Sequence, residues 1–297
     1  MLEKIKRRLP GGEFYKALLF SFKHLLSFKY NFADFEVLIS YFLGSDFFSP
    51  KYYPKYYHFL EQKYSQGDYF NFKSIKLPKV FEKNNQIIFV SQFLDIILSH
   101  SSDYGRYIGG EGPYLYKKVQ IKSGDIVVDA GANIGMFSAL ASHLGAIVYA
   151  FEPVKDTREK YLEQTARLNN NINIIPLALI DKNGIAEIQI VRERLSNSSS
   201  MVLSRENSTK EIINTITLDD WVKQNNIPRV DFIKADIEGA ERLMLQGAKN
   251  VLKTYAPKLA ICIYHLPDDK EVLTSLILEA NPNYKIEYAW QKLYASI

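Results

Sequence analysis

Hydrophobic and polar positions change their period partway along this chain. From Gly124 onward, apolar runs of strand length alternate with stretches whose apolar residues recur every three or four positions, which predicts a doubly wound, mostly parallel α/β sheet. Strands are expected at 126–129, 146–151, 173–177, 230–236 and 258–264, and helices near 134–144, 155–169, 218–225, 240–250 and 269–280. Two shorter runs, Ala186 to Val191 and Ile212 to Ile216, predict an antiparallel pair. Between them Arg194 to Lys210 is polar around Ser198-Ser199-Ser200, a composition that suits both a flexible linker and a substrate-facing loop. Upstream, residues 1–75 read as a helical, aromatic-rich accessory region punctuated at Gly44, Pro50, Pro54 and Gly67. Residues 76–123 read as a connecting segment: an alternating hairpin from Lys79 to Val90 about Asn84-Asn85, then a helical stretch from Ser91 to His100. It closes on Gly105, Gly109, Gly110 and Gly112 around Glu111, followed by Pro113-Tyr114, which reads as a mobile or a ligand-facing loop. Residues 124–297 form the main domain.

The segment Ile126-Val-Val-Asp129-Ala-Gly131-Ala-Asn133-Ile-Gly135-Met136 carries the most information. It is a buried strand running into a glycine turn and a helix start, the place where open α/β sheets bind nucleotide-type ligands. A dinucleotide site wants three glycines as G-x-G-x-x-G, whereas Gly131 and Gly135 are two, four apart, with Asp129 just before them. A carboxylate there repels a pyrophosphate, which disfavours a nicotinamide-dependent oxidoreductase. It suits an ammonium-bearing ligand without phosphates, such as S-adenosylmethionine. The next strand ends in Glu152-Pro153, where an acid accepts hydrogen bonds from ribose hydroxyls. Taken singly, Asp129 is also an ordinary strand-end acid and Glu152 an acid favoured by a helix macrodipole.

At 297 residues the chain is long enough for a full α/β domain with an appendage. A net charge of +4 with no basic stripe interleaved with aromatics gives no nucleic-acid surface. The single cysteine, Cys262, excludes an intrachain disulfide and a multi-cysteine zinc site, and its apolar surroundings suit a core residue. No run of 18 apolar residues and no signal-peptide layout are found, so the expectation is a cytoplasmic protein. Lys4, Lys6, Arg7 and Arg8 before the aromatic stretch Phe14 to Phe28 suit either a peripheral contact with the inner face of a membrane or a solvated basic end. That contact would fit a non-catalytic, membrane-docked protein as well as an enzyme. Thr217-Leu-Asp-Asp220 has the form of a capping box and is read as structural.

Several motifs in order resemble the FkbM-type S-adenosylmethionine-dependent methyltransferases. They are Asp129-Ala-Gly-Ala-Asn-Ile-Gly135, Phe151-Glu-Pro153, Leu177-Ala-Leu179 with Asp181-Lys-Asn-Gly184, the serine cluster, Thr217-Leu-Asp-Asp220, Asp231-Phe-Ile-Lys-Ala-Asp236-Ile-Glu238-Gly-Ala-Glu241 and Ile263-Tyr-His265. The resemblance spans about residues 105–290 and leaves residues 1–75 unaddressed. It implies the class I, Rossmann-like methyltransferase fold with a seven-stranded sheet whose last strand is antiparallel. It also implies O-methylation, commonly of sugars in surface polysaccharides, lipids or antibiotics.

Methyl transfer to a hydroxyl is an in-line displacement that needs donor and acceptor held together in a dry pocket and assistance in removing the acceptor proton. Asp236, Glu238 and His265 leave two central strands at their carboxyl ends, with Glu241 a turn further on. His265 is the best base on its intrinsic pKa, and a divalent metal held by Asp236 and Glu238 is the alternative. The plain readings are that Asp236 caps a helix, that Glu238 and Glu241 are exposed first-turn acids, and that His265 pairs with a carboxylate. Gly131, Asn133 and Gly135 are expected to form the donor turn, Leu177 and Ala178 to line an adenine, and Glu111 and Tyr114 to close over the donor. The partner expected is a sugar or glycan. A homo-oligomer stays open.

Overall fold

The computed structural model describes residues 53–97, 113–190, 200–202 and 208–297. The glycine cluster with Glu111, most of the serine loop and the basic aromatic segment before residue 53 lie outside the described residues. Among the described residues no helix is long and apolar enough to cross a membrane.

Strands β4 (Ile126–Ala130), β5 (Ile147–Phe151), β6 (Ile172–Ile175), β10 (Phe232–Ala235), β11 (Lys258–Cys262), β12 (Lys285–Ala289) and β13 (Lys292–Ser296) make one seven-stranded sheet in the order β12-β13-β11-β10-β4-β5-β6. The five strands β11, β10, β4, β5 and β6 are parallel, and β13 enters antiparallel between β11 and β12. The order reverses between β4 and β10, so a crevice opens at the carboxyl ends of those strands. β4 and β10 are buried along their whole length, as strands covered on both faces must be. Helices α3 (Met136–His143), α4 (Lys155–Thr157) and α5 (Glu163–Leu168), the last two joined by a π-helical turn at Arg158–Leu162, fall in the first two expected helical windows. α6 (Leu218–Gln224) and α9 (Asp269–Ala280) fall where expected, and the window at 240–250 holds two helices, α7 (Glu241–Gln246) and α8 (Lys249–Thr254). The Thr217 hydroxyl accepts the Asp220 N–H at 3.0 Å and caps α6, as the motif predicts. Strands β8 (Gly184–Ile190) and β9 (Thr209–Ile216) pair antiparallel, with the short β7 (Ala178–Leu179) beside β9, as a separate three-stranded sheet.

The upstream part differs from expectation. Helix α1 (Tyr53–Tyr64) leads into an antiparallel meander of β1 (Ser65–Gln66), β2 (Tyr69–Phe72) and β3 (Ile75–Pro78), where helix was expected. Lys73 and Ser74 both hold positive φ in the two-residue β2–β3 turn, a conformation more usual for Asn-Gly and invisible without it. The expected hairpin at 79–90 is instead helix α2 (Lys83–Gln92), continued by a π-helical turn at Phe93–Ile97. Phe89, Phe93 and Ile96–Ile97 recur at helical spacing, and their burial against Tyr57, Phe70 and Phe72 outweighs the short alternation that suggested strands.

This aromatic layer is continuous with the core over α3 and α5, because Val80, Phe89 and Phe93 belong to the same buried cluster as Phe137, Leu140 and Leu162. Residue 76, at the expected boundary, lies in the middle of β3 and is tied to the main domain. The Asn169 side chain donates to the Lys76 carbonyl at 2.7 Å and accepts its N–H at 3.3 Å, imitating a neighbouring strand. Asn169→Ala leaves both backbone groups without that partner, so we expect a loss of about 1–3 kcal/mol in urea unfolding. Asn169 does not line the cavity at the carboxyl edge of the sheet, so that cavity should be unchanged.

Candidate functional site

The turn after β4 is shaped by close approaches. Gly131 has φ +76°, and a Cβ there would stand 2.1 Å from the Asp236 carbonyl oxygen; one at Gly135, φ +85°, would meet Leu162 and Thr165 at 2.8 Å. Both glycines thus admit neighbouring chain segments, which lets the turn sit flush between β10 and α5. Gly131 and Ala132 donate their N–H groups to the Phe151 carbonyl at 3.1 and 2.9 Å.

From the end of β5, Glu152 reaches beneath this turn. Its carboxylate accepts the Asn133 N–H and the Val154 N–H, each at 2.9 Å. Burial pushes its pKa up to about 7, against the pull of those two hydrogen bonds and of the Lys234 charge.

Asp129 differs from the expectation of a ligand-facing acid. It is fully buried, and its carboxylate is engaged by Lys234 Nζ at 3.0 Å and by the Ser138 hydroxyl at 2.6 Å. It supports the turn from below and is absent from the cavity wall. Lys234 also donates to the Ala130 and Gly131 carbonyls at 3.2 and 2.7 Å.

A cavity of about 450 Å³ runs along the carboxyl edge of the sheet. Toward β6, β5 and β4 its wall is Leu177 to Leu179, Glu152 to Val154 and Ala130 to Asn133. Leu177 lies beyond the end of β6 and Ala178 opens β7. Toward β10, β11 and β13 the wall is Asp236, Glu238, Tyr264, His265 and Lys292, with Tyr114, Gln92 and Ile96 contributed from upstream.

On that second side, acids converge on one imidazole. His265 Nδ1 lies 3.2 Å from Glu241, and Nε2 lies 3.6 Å from Asp236 and 3.8 Å from Glu238. Neither ring nitrogen has the alignment of a hydrogen bond, and the side chain is 3% exposed. Burial works against the imidazolium, but Glu241, Asp236 and Glu238 overcome it and raise its pKa to about 9. Asp236 accepts from Tyr114 Oη at 2.7 Å on one oxygen and from Tyr264 Oη at 3.4 Å on the other. Burial opposes its charge, yet Lys234, His265 and Lys292 hold it below the usual carboxylate range.

Glu241 is a buried clamp rather than an exposed first-turn acid. Its two oxygens accept the N–H groups of Ile237 and Gly239 at 2.8 and 3.0 Å and so fix the bend at Glu238, where φ is +55°. From the serine loop, the Ser200 hydroxyl donates to the Glu238 carbonyl at 2.6 Å. Among the described residues, Asp236, Glu241 and His265 bring possible metal-ligating atoms within 4.8 Å of one another, with Glu241 in the place where Glu238 was expected.

Lys234, Lys292 and Gln92 are cavity residues that the sequence reading missed. Lys234 does leave a signal, as a cation inside the otherwise apolar strand Phe-Ile-Lys-Ala.

Residues 129–286 match the family model described as the methyltransferase FkbM domain. The chain is 29% identical over 162 residues to the hexuronic acid methyltransferase AglP of Haloferax volcanii, covering 54% of this chain and 65% of that protein. It is 27% identical over 167 residues to the 31-O-demethyl-FK506 methyltransferase FkbM of Streptomyces tacrolimicus, covering 46% of this chain and 64% of that protein. The match thus spans slightly under two thirds of each relative's length. A solved FkbM methyltransferase from Methylobacillus flagellatus KT aligns over 83% of this chain and 59% of its own, at 21% identity and a TM-score of 0.46. With its family model matched over more than half of its length, the chain belongs to the methyltransferase FkbM domain family.

Proposed function

We propose that this protein transfers a methyl group from S-adenosylmethionine to a hydroxyl oxygen of a sugar, in a surface polysaccharide or a glycosylated intermediate. The observation that carries the reading is a single cavity with two unlike sides: a glycine turn braced by Glu152, and the Asp236–His265 group. The first side fits the donor. Glu152 offers carboxylate lone pairs to ribose hydroxyls, Leu177 and Ala178 give a flat apolar wall for adenine, and the turn from Gly131 to Asn133 takes the methionyl part. The donor supplies an electrophilic methyl group. The hexuronic acid named for the Haloferax relative supports a sugar acceptor.

On the second side His265 takes the acceptor proton. It can do so only from its neutral form, and the surrounding carboxylates keep most of it protonated at neutral pH. Asp236, held ionised, then stabilises the imidazolium that results. A metal ion on Asp236, Glu241 and His265 is a second reading, favoured by two buried ring nitrogens without hydrogen-bond partners. The two readings diverge on chelation, since only the second makes turnover depend on the ion.

The Glu152 carboxyl, at about 7 in the free protein, must ionise to receive two ribose hydroxyls. Donor affinity should therefore rise as pH climbs from 6 through about 7 and level off above it, with proton release on binding below that pH. Calorimetry in buffers of different ionisation enthalpy measures the release. In Glu152→Gln both the release and the pH dependence should vanish, with affinity reduced.

For the chemical step, His265→Ala should keep donor affinity and lose turnover by on the order of 10²-fold or more. In the parent, turnover should rise with pH toward the His265 pKa, which the donor's positive charge lowers from about 9. Full activity in EDTA excludes the metal reading, and a His265→Ala enzyme with parental turnover excludes the base.

A further inference from the structure

The β12–β13 hairpin turns through two residues, Trp290 and Gln291, since Ala289 pairs directly with Lys292. Trp290 has φ +53°, a left-handed conformation that two-residue hairpins normally assign to Gly, Asn or Asp. A bulky residue there strains the backbone, and at 42% exposure a large part of the indole still faces solvent. A side chain kept at a cost to the fold, and still open to solvent, points to something outside the fold that it meets.

Its position says what. The Ile263 N–H donates to the Gln291 carbonyl at 3.1 Å, which fastens the turn beside the end of β11, where Tyr264 and His265 follow. Lys292, two residues after Trp290, lines the cavity. The indole is held in one orientation by the Tyr116 ring, edge-on at 5.3 Å and 82°. Tyr264, 39% exposed and in the cavity wall, lies with its ring 4.1 Å from the His265 ring. The hairpin turn that carries Trp290 and the cavity-wall residue Tyr264 therefore stand at the same carboxyl edge of the sheet. The neighbouring Tyr288 is different, because Lys270 lies over its ring at 4.5 Å and its hydroxyl meets Thr274.

We propose that Trp290, with Tyr264 inside it, is the stacking site for the acceptor's pyranose ring. A pyranose presents a face of axial C–H bonds that packs on an aromatic ring, while its hydroxyls at the edge stay free for Asp236 and His265. The inference rests on the sugar-acceptor reading and adds the residue that selects a ring over an open-chain alcohol.

Trp290 can be watched directly. The chain has two tryptophans, and the other, Trp221, is buried against Tyr149 and Phe151. Methyl α-D-glucopyranoside and methyl α-D-glucuronoside, added to the full chain with S-adenosylhomocysteine, should shift the emission and shield it from acrylamide, whereas glycerol should not. Trp290→Gly relieves the left-handed strain while giving up the indole's contact with Tyr116, so it should stay folded and bind donor equally, yet raise the acceptor KM by about tenfold. Trp290→Phe should keep most of the acceptor affinity. An emission that ignores both sugars, or an unchanged KM in Trp290→Gly, overturns the proposal. A Trp290→Gly protein that melts lower with KM unchanged assigns the indole a structural role instead. Sugar-dependent shielding in a protein that binds no donor would end the methyltransferase reading and leave this one standing.

Discussion

The buried Lys234 holds the site together. It lies directly across from Asp129 in the register of β10 on β4, and the two charges meet at 3.0 Å with almost no solvent contact. Desolvation works against such a pair, and further contacts offset it: the Ser138 hydroxyl bonds one Asp129 oxygen while the other faces Lys234 as an ion pair, and Lys234 also donates to the carbonyls of Ala130 and Gly131. The arrangement fixes the end of β4, the start of the glycine turn and the start of α3 in one stroke. The Lys234 charge also faces Asp236, so the same cation that shapes the donor turn keeps the acid on the opposite side ionised. Removing one partner leaves the other charged and dry, a situation that costs about 3–5 kcal/mol in comparable sites.

The His265 cluster depends on a quieter constraint. Three carboxylates gather around one imidazole without a well-directed hydrogen bond to either nitrogen. Glu241 is there because its oxygens are committed to the backbone of the Asp236–Gly239 bend, which sets the positions of Asp236 and Glu238 in turn. An imidazole in that field is a cation at neutral pH, and a neutral base only when alkali or an added positive charge displaces its proton.

The parallel sheet was legible from the sequence because each central strand is a short apolar run and each crossover helix has its own period. Asp236, Glu238 and His265 were legible as strand-end residues for the same reason, since topology alone sends them to one edge. The upstream part was harder to read. Its meander turns through Lys73-Ser74 without glycine or asparagine, and α2 begins on Asn84-Asn85, a pair that signals a turn in isolation. Tertiary burial of Phe89 and Phe93 decides that segment. Asp129 was misjudged because a one-dimensional pattern shows the acid at the strand end but not the lysine that reaches it from 105 positions later.

The cavity is assembled from two kinds of material. Every residue of the glycine-turn side, together with Asp236 and His265, falls within the 129–286 stretch that matches the family model, whereas Gln92, Ile96, Tyr114 and Lys292 stand outside it. Tyr294 donates to the Pro113 carbonyl, so the upstream segment and the last hairpin are bound to one another as a collar around a common core. Such a division lets the collar vary while the glycine turn, Glu152, Asp236 and His265 stay intact. Under the proposed function, acceptor choice and methyl transfer then rest on separable parts of the chain.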